Sequence, residues 1–218
     1  MKSKRALFAL FQDLSEAELD TLAAAGHLRT RQFAKHEVIF HAGSCVREIG
    51  IVLRGSVHIE NLDLWGTKSI LSSVGAGQAF AETYAFCGEA LMVDAVAAEH
   101  CEILFLHTAA LTDARIEPAL QDKLLRRLLA VSMRKNLSLS QRIFCTTPKT
   151  VRGRLLTYFS AQAARCGRME FEVPFNRQQM ADYLNLDRSA LSKELCKMRD
   201  EGLLEFDKNR FVLKQLPE

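Results

Sequence analysis

The chain has 218 residues, 48% hydrophobic and 25% charged, enough for one large domain or two small ones with real cores. Mean hydropathy is close to zero and no apolar run approaches the roughly 18 residues a membrane span needs, so no membrane partner is expected. The N-terminal MKSKRALFALFQDLSEAEL stretch has no long apolar centre and no small-residue cleavage site, and reads as mature sequence rather than a signal peptide. Six scattered cysteines (45, 87, 101, 145, 166 and 196) form no C-x-x-C pair, which removes support for zinc ribbons and common iron–sulfur spacings and fits reduced thiols in a cytoplasmic protein. The formal net charge is +3, and all of it follows Cys145. Residues 1–145 hold 16 basic and 16 acidic side chains, and residues 146–218 hold 13 and 10. An excess of that size permits contact with nucleic acid without arguing for it.

In chain order, residues 8–25 read as short helices. From 31 to 106 the texture changes to β-like runs at 37–40, 49–53, 57–60, 69–74, 95–98 and 102–106. These alternate with glycines at 43, 55, 66, 75 and 77, a spacing that predicts an antiparallel roll or barrel. Residues 117–145 return to helical period. Leu120, Leu124, Leu128 and Val131 make one apolar stripe, which Leu125, Leu129 and Leu139 widen. A helix that long, with apolar residues on more than one side, needs two covers: the roll on one side and a partner copy on the other. Thr146-Thr147-Pro148 breaks the pattern. Pro148 suits the first position of a new helix, and a hinge is expected at 145–149.

The densest information lies in 174–213. Asn176 with Gln179 three residues on is a capping-box-like start. Met180, Ala181 and Leu184 supply a buried face, and Asn185-Leu186-Asp187 is a turn. Asp187 caps a second helix whose inner face is Leu191, Leu195 and Met198. Its outer face carries Ser189, Ser192 and Lys193, with Arg188 at the tip and Cys196 on the outward half. After Gly202 come Leu203-Leu204-Glu205-Phe206, a polar 207–210 turn and Phe211-Val212-Leu213, a small hairpin. Helix, turn, helix and hairpin make a winged helix-turn-helix, which presents one small polar helix to a DNA groove.

In the order and spacing of its motifs the chain resembles the Crp/Fnr (catabolite activator/fumarate-nitrate regulator) superfamily of bacterial transcription regulators. The matching segments are F-x-x-H-E-V-I-F-H-A-G at 33–43, I-V-L-R-G-S-V-H-I at 51–59, V-G-A-G-Q-A-F-A-E at 74–82 and R-x-x-M-A-D-Y-L-x-L-D-R-S-A-L-S-K-E-L at 177–195. The resemblance implies an α+β chain in three parts. Residues 1–115 form an N-terminal double-stranded β-roll, a cyclic-nucleotide-binding-like jelly roll with short N-terminal helices. Residues 116–145 form a long dimerisation helix, and 146–218 a C-terminal winged helix-turn-helix. It also implies a homodimer on palindromic double-stranded DNA, and it leaves RNA polymerase open as a further partner. On the recognition helix it places base contacts at Arg188, Ser189, Ser192 and Lys193; it places backbone contacts at Arg177 and Gln178.

The effector end matches only in part. Relatives that bind cyclic AMP use a phosphate-binding cassette near F-G-E-L that ends in an R-S pair. The corresponding pocket here comprises Phe80, Ala81, Glu82, Thr83 and Asp94: the glutamate persists, the glycine is alanine, and no arginine lies between Arg54 and Arg115. Burying a phosphate without a cation is costly, so an unknown small-molecule effector other than cyclic AMP is expected. The first 44 residues contain no cysteine, against an oxygen-sensing iron–sulfur cluster, whereas histidines 27, 36, 41, 58, 100 and 107 leave haem open. Cys196 raises a redox-sensing variant of the same reading. Two other classes are weaker. A cupin-type metalloenzyme would want His-x-His, which is absent. A ligand-binding module without DNA activity would not need the helix-turn-helix.

Overall fold

The computed structural model describes residues 9–62 and 68–214. Phe8 and Gly66, which belong to the expected N-terminal helices and glycine corners, lie outside them. The chain forms two compact units, Met1–Arg134 and Lys135–Glu218. The division falls inside a helix rather than at the hinge expected at 145–149. None of the described helices is long and apolar enough to cross a membrane.

The first unit opens with a 3-10 turn, Ala9–Phe11, and α1, Glu16–Ala24. A capping box starts α1: the Ser15 hydroxyl accepts from Glu18 N (3.2 Å), and the Glu18 carboxylate accepts from Ser15 N (2.6 Å). Eight strands follow: β1 (Leu28–Phe33), β2 (Val38–Phe40), β3 (Glu48–Arg54), β4 (Ser56–Leu62), β5 (Lys68–Gly75), β6 (Ala79–Phe80), β7 (Asp94–Ala97) and β8 (Cys101–His107). They form two four-stranded antiparallel sheets, ordered β1-β8-β3-β6 and β2-β7-β4-β5. Phe33, Phe40, Val52, Val57, Phe80 and Phe105 belong to the core cluster that both sheets share. This is the double-sheeted roll.

The six strands read from periodicity are present, and β1, β6 and a short helix, α2 (Glu82–Cys87), are added. β1 reads Leu-Arg-Thr-Arg-Gln-Phe and shows no apolar alternation. Its arginines instead lie over rings, Arg31 above Phe33 and Arg29 above Phe105, and Arg29 also pairs with Glu48. β6 is held by a close fit. A Cβ on Gly50 would run into Cζ and both Cε atoms of Phe80, so only glycine lets the tip of that ring approach β3 so closely.

The 29-residue helix α3, Pro118–Thr146, buries Leu120, Leu124 and Leu128 in the core beneath the N-terminal helices. The Lys123 ammonium pairs with Glu18 at 2.6 Å. Leu125, Leu129, Met133, Leu137 and Phe144 remain exposed along it.

The second unit contains the end of α3, α4 (Val151–Cys166), β9 (Glu170–Glu172), α5 (Arg177–Leu184), α6 (Arg188–Asp200), β10 (Leu204–Asp207) and β11 (Arg210–Leu213). Pro148 is not the first residue of α4. It lies in the bend before Thr150, whose hydroxyl accepts from Gly153 N at 3.0 Å and caps the helix. β9 was not expected. It pairs with β11, extending the hairpin to a three-stranded sheet ordered β10-β11-β9, and the turn between β10 and β11 is only Lys208-Asn209. One core joins the helices to this sheet, with Phe159 and Phe211 rings 4.6 Å apart at its centre.

The residue before α2, Ala81, sits at φ 62°, ψ 7°, the left-handed region that costs a non-glycine residue roughly 1–2 kcal/mol. Ala81→Gly should therefore stabilise the roll by about 0.5–1 kcal/mol, after allowance for the greater freedom of unfolded glycine. Chemical denaturation of the two proteins measures this, and a variant no more stable than the parent would count against strain at this position.

Candidate nucleic-acid interface and effector pocket

Two polar side chains set the helix-turn-helix geometry. The Asn176 side-chain oxygen Oδ1 accepts from Gln179 N and the Gln179 side chain accepts from Asn176 N, both at 2.9 Å, which completes the capping box of α5. The helix ends at Asn185, whose φ of 57° turns the chain toward α6. One oxygen of Asp187 then accepts from Ser189 N (2.8 Å), Ala190 N (2.9 Å) and the Ser189 hydroxyl. These bonds, the hydroxyl first, hold the Asp187 carboxyl below its ordinary range. They also commit the Ser189 hydroxyl proton, so that this serine faces outward as an acceptor.

Leu191, Leu195 and Met198 are buried beneath α6, while Arg188, Ser189, Lys193 and Cys196 are exposed and Ser192 is half-buried. The charges on this helix are sorted. Arg152 of α4 bonds both Glu194 (2.6 Å) and Glu201 (2.8 Å) just past its end, and Arg199 takes Asp200. Among the described residues, Arg188, Lys193 and Lys197 form no ion pair at contact distance with a carboxylate, although Lys197 is near enough to Glu201 to act on its charge. The outer face of α6 is therefore cationic even though the helix carries acids.

The two predicted backbone-contact residues differ in setting. Gln178 is exposed and donates to Asp182 Oδ1 one turn on (2.9 Å). The guanidinium of Arg177 lies over two rings of the hairpin, 4.9 Å from Phe206 and 5.1 Å from Phe211. Burial there lowers its pKa from the ordinary arginine value, which still leaves it charged. Arg177 thus ties the start of α5 to the hairpin. With Asn176, Lys208 and Asn209 it borders an open groove of about 420 Å³. Lys208 sits at φ 49° in the hairpin turn, within the polar 207–210 segment that the sequence marks as a turn.

Sequence reasoning missed Arg142 and Arg154. Arg142 donates from Nε to Tyr183 O (3.1 Å) and from a terminal nitrogen to Asp182 O (3.0 Å). Arg154 donates to Leu184 O (3.0 Å), Asn185 O (2.7 Å) and Pro148 O (2.8 Å). Their only trace in the sequence is that arginines stand on either side of the break at 146–148, Arg142 before it and Arg152 and Arg154 after it.

In the roll, Phe80, Ala81, Glu82 and Thr83 are contiguous at the start of α2. Phe80 is buried with its ring 5.8 Å from Phe40, Glu82 is 5% exposed, and Thr83 faces solvent. Asp94 is turned elsewhere: its carboxylate accepts from Ala42 N at 2.7 Å, which holds it to the turn after β2. Among the described residues no hydrogen bond joins it to the 80–83 segment. Of the histidines, His27 meets Asp113 at 2.7 Å and His107 accepts from Ala109 N, while His41 and His100 are exposed. The described residues contain no group of three or more His, Cys, Asp or Glu side chains that could hold a metal ion.

Two family models match this architecture: a cyclic nucleotide-binding domain over residues 30–115 and a Crp-like helix-turn-helix domain over 153–218. No curated protein matches the chain by sequence. Among solved structures, CprK in complex with OCPA is similar at a TM-score of 0.65 and 14% identity, over 93% of this chain and 91% of that one. FixK2 from Bradyrhizobium japonicum is similar at 0.50 and 19%, over 86% and 93%. A cyclic nucleotide-binding domain from Methylobacillus flagellatus is similar at 0.55 and 20%, over 65% and 80%.

Proposed function

The chain belongs to the Crp/Fnr family of DNA-binding transcription regulators, and on that premise we propose that it acts in the cytoplasm as a homodimer on a two-fold symmetric DNA site, under an effector other than cyclic AMP. It is read as a regulator and not as an enzyme. The observation that carries the DNA reading is the sorting of charge on α6, with every carboxylate on the helix taken by an arginine and Arg188, Lys193 and Lys197 left facing out. Arg188 stands at the N-terminus of α6, where a guanidinium can bond bidentately to guanine O6 and N7. Lys193 reaches a base edge or a phosphate, and the partly desolvated Arg177 and Gln178 lie at the first helix's start for the backbone.

The homodimer reading rests on α3. Leu129 and Leu137 are 56% and 69% exposed, and with Leu125, Met133 and Phe144 they give one helix an apolar face that water does not favour. A second copy of the same helix is the occupant that symmetry supplies most simply, and it would place two α6 helices on half-sites about one helical turn apart. The effector reading rests on charge. The pocket segment holds the carboxylate of Glu82, and no lysine or arginine occurs between Lys68 and Arg115 to meet a cyclic phosphate.

Three experiments test these statements. Arg188→Ala should weaken binding to a selected cognate duplex by about tenfold to a hundredfold and binding to random duplex far less; equal losses on both would remove its base-reading role. Leu129→Glu with Leu137→Glu should move the protein from dimer to monomer in sedimentation velocity, and an unchanged dimer would place the interface elsewhere. Calorimetric titration with cyclic AMP should show no heat of binding at micromolar concentrations, and a micromolar Kd would overturn the effector assignment.

A further inference from the structure

Four consecutive carbonyls, those of Asp182, Tyr183, Leu184 and Asn185, close the first helix of the helix-turn-helix. All four accept from guanidinium groups that lie on either side of one short linker. Arg142 comes from the last turn of α3, before the break, and serves the first two. Arg154 comes from α4, after the break, and serves the second two, while its Nε also takes Pro148 O inside the linker. Cys145, three residues beyond Arg142 and so on nearly the same side of α3, is buried in the winged-helix core and packs this turn against it. The Arg142 guanidinium also lies 5.8 Å from the ring centre of Tyr183. The end of α5 leads through two turn residues into Asp187, the cap of α6.

We propose that Arg142 is a positioning residue for DNA reading: it joins the end of the long helix to the carbonyl end of α5, and so sets the half-site spacing that a dimer accepts. The inference rests on the homodimer reading above. The chemistry suits the role. Carbonyls at a helix C-terminus carry the negative end of the helix dipole, and a planar guanidinium can reach two of them at once, whereas a lysine ammonium cannot hold the same fork. Without Arg142, α5 would be held to the break by Arg154, the linker's backbone and the apolar packing around Cys145, with neither of the two carbonyl bonds from α3 left. The recognition helix would keep its internal caps and its core and lose its fixed bearing on α3. Base reading at one half-site would persist, and the geometric relation between two half-sites would slacken.

The test uses the full-length chain and a palindrome that it selects from a random-sequence duplex pool. Fluorescence anisotropy then compares that palindrome with versions carrying one inserted or one deleted central base pair, and with an isolated half-site. Each change shifts the half-sites by about 3.4 Å and turns one against the other by about 35°. Wild type should lose about tenfold or more in affinity on either altered spacing, because the second half-site is no longer engaged. Arg142→Met should bind the half-site like wild type, and its penalty on altered spacing should shrink to about threefold or less.

A full penalty in Arg142→Met overturns the proposal. So does an equal loss on every duplex, since that is the mark of a general structural role. Should Arg142→Met not fold, Arg142→Lys decides, and a wild-type penalty in that variant overturns the proposal. A wild type that selects no paired half-sites overturns the homodimer reading itself, and the inference with it. Paired half-sites with an unchanged variant overturn the inference alone.

Discussion

A helix of eight residues is mostly ends. About four amides and four carbonyls of any α-helix have no partner within it, and in α5, Arg177–Leu184, those orphan groups are nearly the whole helix. Such a segment is not stable by itself in water. It exists because its environment satisfies both termini: the Asn176–Gln179 box at the start and two arginines at the finish. The placement of α6 follows, since the turn that aims it hangs from the last of those carbonyls. The DNA-reading surface is thus as well defined as the hydrogen bonds behind it, and most of those are remote from the face that would meet DNA.

This division explains what could be read from the sequence. Caps are local and carry a signature, so Asn176, Asp187 and the buried positions of α5 and α6 were legible to the residue. Strands with apolar periodicity were legible too. β1 was not, because its outward arginines hide the alternation and are themselves held by rings and Glu48 brought in from far along the chain. β6 and β9 are two and three residues long and exist only as additions to neighbours. α2 escaped because its first residue follows an alanine in a glycine's conformation. The groups proposed to touch DNA are named from the sequence alone. Those that hold them in place, Arg142, Arg152 and Arg154, could not be, since an arginine's role depends on which carbonyls or carboxylates the fold delivers to it.

The two ends of the molecule also treat charge differently. On α6 each acid is cancelled by an arginine, and the cations left over face outward. In the roll, the buried Glu82 stands where no cation of the intervening sequence follows it, and Asp94 is tied to a backbone amide rather than to a ligand position. The outer face of α6 thus has the polarity suited to a polyanion, and the case proposed above against a cyclic phosphate in the roll rests on the cation-free sequence between Lys68 and Arg115.

The contact between Gly50 and Phe80 sets a limit on how the interior of the roll can change. The ring fills the space that any side chain at position 50 would need, and it is part of the inner core beside the pocket. Neither position is free to vary alone. A larger residue at 50 expels the ring, and a smaller one at 80 leaves a void against β3. Descendants of this chain that remodel their sensing pocket must therefore either preserve both residues or alter them in concert. In a collection of its relatives, these two sites should covary, although one lies on a central strand and the other at the threshold of the pocket.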